Sequence, residues 1–214
     1  MQSTPRRRKS RSSRRDPATR RRDRHGPLTA AVTRPVAVLD ANVLYGIVPT
    51  DLLITLAIQG VYRPQWTDAI LDEAIRNITA NRPDLNQADI VRRFELMNRA
   101  LGSARVPPPA DTLVAAMRND IGDRHVLATA VTVGAEVIVT ENLRHFTPPA
   151  CAPHGIVAMT LDNFISELLD DHESVITDAI SEMARRRKRP PTSPAKLLEI
   201  LHRYIPDTIE RLRQ

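Results

Sequence analysis

Apolar positions follow two rhythms between residues 35 and 214. Val36-Ala37-Val38-Leu39 is an unbroken apolar run that ends on Asp40, and Glu136 to Thr140 encloses a second one. Runs apolar on both faces suit strands of a parallel sheet covered by helices. Ile156 to Met159 predicts one more strand. Between these runs the spacing is helical. Candidate helices cover 51–59, 86–101 and 111–117, and a further one follows Thr67 as N-cap, with Leu71, Ala74, Ile75 and Ile78 in one stripe. The segment 123–133 is apolar nearly all round (Val126, Leu127, Ala130, Val131), which predicts a central, buried helix. Thr160 or Asp162 caps another helix that runs through Leu169. Val175, Ile176, Ala179, Ile180, Met183 and Ala184 form an amphipathic stripe expected to pack mainly within the chain. After a Pro-rich break, Leu197, Leu198, Leu201 and Ile205 predict a last helix. Strand–helix alternation argues for an α/β sandwich with a helical appendage.

Charge divides the chain. Of 214 residues, 31 are Lys or Arg and 25 Asp or Glu. Residues 1–34 hold 12 of the basic residues and only Asp16 and Asp23, so the remaining 180 residues are net acidic. The segment 1–34 has too little apolar content to offset its ordering entropy and is expected to be a disordered basic tail. It is either a solvated leader or an attraction for RNA phosphates. Cys151 is the one cysteine, so an internal disulfide framework or a cysteine zinc cluster is excluded, and a reducing, cytoplasmic setting is expected. No apolar run reaches a membrane span, and no apolar stretch follows the N-terminal charges as a secretory signal would require.

In an open parallel sheet, ligands bind beyond the carboxyl ends of the strands. Asp40 stands at such an end, as do Thr140 and Asn142, and Asp123 starts the buried helix. These groups are expected to converge, and crowded carboxylates call for a hard divalent cation, Mg²⁺ or Mn²⁺. Glu73 lies at the margin of an apolar helix face, whereas its neighbour Asp72 faces solvent. Asp120 precedes Asp123 by one turn, either to help bind a metal or, more simply, to cap the loop. The histidines show no zinc spacing, there is no glycine-rich phosphate loop among 7 glycines, and aromatics at 3% supply no stacking platform for single strands. A phosphotransfer enzyme with Asp40 as its acceptor would need a catalytic lysine, and residues 35–187 contain none.

LDANVLY (39–45), ILDEAIRNI (70–78), DRHVLATAV (123–131) and VTENLRHF (139–146) occur in that order. Together they resemble the PIN domain, in particular the VapC-like toxins of bacterial toxin–antitoxin pairs. The resemblance covers about 35–168, and the segment from about 162 to 214 resembles the helical C-terminal extension of one VapC subgroup. It implies a PIN-like three-layer α/β sandwich around a mostly parallel sheet. The chain divides accordingly into a tail (1–34), a PIN domain (35–168) and a helical C-terminal extension (169–214). It also implies a metal-dependent endoribonuclease that leaves a 5′-phosphate and a 3′-hydroxyl. Motif by motif, Asp40, Glu73 and Asp123 match the family's metal-binding acids. Asn142 stands where many members carry a fourth Asp, with Thr140 beside it to position water or phosphate. Arg76, Arg124 and Arg144 flank these motifs as phosphate contacts. Implied partners are an RNA substrate and a cognate antitoxin that blocks the site, with a homodimer common in the family and no membrane. Because Asn142 removes one charge, the rival reading is a catalytically weak PIN fold that binds RNA or a partner.

Overall fold

Four short strands form one parallel sheet in the order β2-β1-β3-β4: β1 (Val36–Leu39), β2 (Arg63–Gln65), β3 (Val137–Val139) and β4 (Val157–Met159). The computed structural model describes residues 34–188 and 190–214; the expected tail 1–34 lies, save for Arg34, outside the described residues. The helices are α1 (Ile47–Ile58), α2 (Asp68–Asn81), α3 (Gln87–Ala100), α4 (Asp111–Ala116), α5 (Arg124–Val133), α6 (Pro148–Cys151), α7 (Leu161–Arg186), α8 (Pro194–Leu201) and α9 (Pro206–Arg211). The chain steps from β1 to β2 in one direction, then crosses back past β1 to β3 and on to β4. Parallel crossovers are right-handed, so this reversal sends α1 to one face and α5 to the other, giving a three-layer α/β sandwich. The point of reversal lies between β1 and β3.

Local chemistry explains most element ends. Thr67 caps α2 by accepting from the Ile70 N–H, and Asn86 caps α3 by accepting from the Ala88 N–H at 2.8 Å. Helix α5 packs against both β1 and β3, with Val126, Leu127, Ala128 and Ala130 fully buried. Gly134 ends it at φ +62°, a left-handed value that glycine adopts without a Cβ penalty.

Three elements differ from the expectation. Strand β2 reads Arg-Pro-Gln and carries no apolar signature; it is an edge strand, where Pro64 is tolerated because one side needs no ladder donor. Helix α7 continues through Leu169 to Arg186, with non-helical φ/ψ only at His172. Thr160 caps it, accepting from the Asn163 N–H, while Asp162 serves a different helix. The buried Asp162 carboxylate accepts from the N–H groups of Asp207 and Thr208 at 2.9 and 3.0 Å and from the Thr208 hydroxyl at 2.7 Å, which caps α9. The expected last helix over 197–205 is therefore two helices, α8 and α9. The stripe of Ile176, Ala179, Ile180, Met183 and Ala184 is buried, as its spacing predicts, and α7 packs on α1. Arg187 reinforces that contact by pairing with Asp51 at 3.1 Å.

Candidate active site

Strands β1 and β3 pair with Leu39 opposite Val139, so the residues that follow them emerge side by side at the reversal point. Asp40 is only 2% exposed there. Its Oδ1 accepts from the Ala41 N–H at 2.7 Å, and its Oδ2 accepts from the Thr140 hydroxyl and the Asn42 amide, both at 2.7 Å. Thr140 is fully buried, and its oxygen also accepts from the Asn42 amide and from the Asn142 N–H, each at 3.0 Å. Asn42 completes the lattice by accepting from the Glu141 N–H at 3.0 Å. Burial raises the Asp40 carboxyl from 3.8 to about 6, opposed by its bonds from Thr140 and Ala41 and reinforced by the negative charges of Asp123 and Glu73. Asp40 therefore lies within reach of the charges of both other carboxylates.

Asp123 ends a 3-10 turn (Ile121–Asp123) that leads into α5. Its side chain is 13% exposed, and it does not cap α5. Instead it accepts from His145 Nδ1 at 2.6 Å. His145 Nε2 in turn accepts from Arg144 Nε at 3.2 Å, which assigns the imidazole proton to Nδ1. Asp120 caps the turn by accepting from the Gly122 N–H at 3.0 Å. It also brings a carboxylate oxygen to within 4.8 Å of ligand atoms on Asp123 and His145. Both expected roles thus remain open to it.

Glu73 sits half-buried on α2, with its Oε2 3.7 Å from His125 Nε2. Asn142 contributes its backbone N–H to Thr140, and its amide nitrogen lies 3.4 Å from His145 Nδ1. Of the flanking arginines, Arg76 is exposed on α2, and Arg144 is committed in part to His145.

Asp40, Thr140 and Asn142 are hydrogen-bonded into one cluster, and Asp123 and Glu73 reach it electrostatically. Asn42, His125 and His145 lie outside the expected site residues. The available signal for Asn42 was its place two residues after an acid at a strand end. The histidines had none, because zinc spacing presupposes one helix or loop and these come from separate segments.

The chain matches a family model described as "PIN domain" over residues 36–144, half of its length. It matches another described as "VapC50 C-terminal domain" over residues 161–214. A curated relative from Mycobacterium tuberculosis, named "Putative ribonuclease VapC50", is 41% identical over 102 residues, which are 48% of this chain and 60% of the relative. No solved structure matches. No helix among the described residues is long and apolar enough to cross a membrane.

Proposed function

The chain belongs to the PIN-domain family, and from that premise we propose that it is a Mg²⁺- or Mn²⁺-dependent endoribonuclease and the toxin of a toxin–antitoxin pair. The observation that carries this reading is the buried Asp40 carboxyl, pushed up to about 6 by burial, with Asp123 and Glu73 adding to the effect. Ionised carboxylates so placed are costly without a cation among them. Asp40, Asp123 and Glu73 are the residues that would hold it, and their oxygens suit Mg²⁺ or Mn²⁺. When bound, such a cation supplies Lewis-acid polarisation of phosphoryl oxygens and a lowered pKa for water.

The chain's own groups have separable tasks. Ala41, Asn42 and Thr140 hold the Asp40 carboxylate in one orientation. His145 does the same for Asp123. The buried Thr140 hydroxyl spends its one donor on Asp40 and both acceptor sites on Asn42 and Asn142, so it positions Asp40, not water or phosphate as expected, and the Asn142 amide is left to orient water or a phosphate oxygen. Arg76, Arg124 and Arg144 contact the RNA backbone. In-line hydrolysis leaves a 5′-phosphate and a 3′-hydroxyl. An antitoxin would inhibit by inserting a basic side chain among the carboxylates, and a homodimer and a cytoplasmic setting accord with this reading. The division into a tail (1–34), a PIN domain (35–168) and an extension (169–214) is supported by the interruption of α7 at His172, close to the second boundary.

The test is cleavage of RNA by the full chain in Mg²⁺ or Mn²⁺, with EDTA controls, for wild type, Asp40→Asn and Asp123→Asn. Wild type is expected to cleave only with the cation, and each variant to lose about 100-fold or more, the scale of removing one electrostatic partner of a transition state. Wild-type rates in both variants would show that the site assignment is wrong. RNA binding without cleavage would favour the rival reading.

A further inference from the structure

His125 opens α5 two residues after Asp123. Its Nδ1 lies 3.0 Å from the Gly122 carbonyl oxygen. A carbonyl oxygen only accepts, so Nδ1 is the nitrogen that donates, and a neutral imidazole then presents a bare lone pair at Nε2. That Nε2 is buried and has no hydrogen-bond partner among the described residues. The Glu73 carboxylate oxygen Oε2 lies 3.7 Å away, beyond hydrogen-bond range. The gap is nevertheless shorter than the sum of two metal–ligand bonds of about 2.0–2.2 Å each. Metal-binding histidines almost always donate their other ring N–H to a carbonyl or carboxylate, which is the arrangement at Gly122.

His145, the other imidazole near the acids, is different. Its Nδ1 donates to Asp123 and its Nε2 accepts from Arg144, so both nitrogens are engaged. Of the two rings, only His125 has a lone pair free, and it faces a carboxylate.

We infer that His125 is a ligand of the catalytic cation, its Nε2 joining Glu73 to make a mixed nitrogen–oxygen site. This rests on the reading of Asp40, Glu73 and Asp123 as the metal site. The chemical consequence is selectivity. An imidazole nitrogen suits first-row transition ions better than Mg²⁺, so even Mn²⁺, the hardest and weakest-binding of that row, gains relative to Mg²⁺.

The test is Mn²⁺ binding to the full chain without RNA, read by pulsed electron paramagnetic resonance for nitrogen-14 coupling and by calorimetric titration. Wild type is expected to show the coupling. His125→Ala and His125→Gln are expected to lose it, with Mn²⁺ affinity falling by at least the roughly 10- to 100-fold that loss of a ligand's supporting partner costs. His145→Ala is expected to keep it. Circular dichroism confirms that each variant folds, and the Gln variant keeps a polar group at the position should Ala disturb the helix start. Mn²⁺ bound without nitrogen coupling, or coupling that survives in both His125 variants, overturns the inference and leaves the carboxylate site standing. Failure of wild type to bind Mn²⁺ at all overturns both.

Discussion

Removing the charge of Asp40 should stabilise the metal-free protein, in a pH-dependent way. The carboxyl titrates at about 6 in the fold against 3.8 for an unperturbed Asp, chiefly because burial disfavours the anion. Between those two values the native state binds the proton more tightly than the unfolded chain does. Stability therefore falls as pH rises through that window, and the loss is complete above the folded value. The full difference corresponds to about 3 kcal/mol. Asn at this position carries no such penalty, although it has one acceptor oxygen where the carboxylate has two: with that oxygen kept on Thr140 and Asn42, its NH2 faces the Ala41 N–H and the bond from Ala41 is lost. That lost bond costs about 1–3 kcal/mol at every pH. The quantity to measure is thus the difference between Asp40→Asn and wild type, by urea unfolding in EDTA from pH 4 to 8. The variant should gain about 2.4 kcal/mol relative to wild type between pH 4 and 7, since part of the difference is already present at pH 4, and almost nothing further above. In thermal melts this is about 5–10 °C for a chain of this size. Saturating Mn²⁺ at neutral pH should stabilise wild type, by about 2.7 kcal/mol at a hundred times its dissociation constant, and act far less on the variant. A difference that stays flat across the pH range would refute the argument that buried charge at Asp40 is held against a stability cost.

Other consequences follow from buried polar groups away from the acids. Arg93 on α3 donates to the carbonyls of Leu44 and Gly46 and to the Thr50 hydroxyl at 2.7, 3.2 and 2.6 Å, clamping the loop between β1 and α1, and burial lowers its guanidinium to about 10. Arg93→Met should cost about 2–4 kcal/mol in urea unfolding, since it leaves several buried acceptors without a donor. Asp162→Ala removes the cap of α9 and should cost about 1–2 kcal/mol, with hydrogen exchange accelerating at Asp207 and Thr208 before the sheet is affected.

The parts of this protein legible in its sequence are those in which one element carries its own signal. The apolar runs at 36–39 and 137–139 mark buried parallel strands because no solvent-facing alternation interrupts them. The nearly all-apolar α5 announces its burial in the same way. Strand β2 escaped because an edge strand is defined by its neighbour's ladder and not by its own residues, which here are Arg, Pro and Gln. The division of the C-terminal helix into α8 and α9 escaped for a related reason. The cap of α9 is a carboxylate 45 residues earlier in the chain, and no local window contains both partners.

The same distinction runs through the site. Sequence alone proposes which acids share a site, since Asp40 ends an apolar strand and Asp123 opens a buried helix, with Glu73 added by the resemblance. It did not determine how they are held. Asn42 bonds its near neighbour Asp40 and, across about a hundred residues of chain, Thr140 and Glu141, and His125 turns a bare nitrogen toward a carboxylate on another helix. Those relations depend on the parallel pairing of β1 with β3 and on the reversal of strand order between them. A linear pattern records what each residue is; hydrogen-bond partners and burial are properties of the packed chain, and only the tertiary structure decides them.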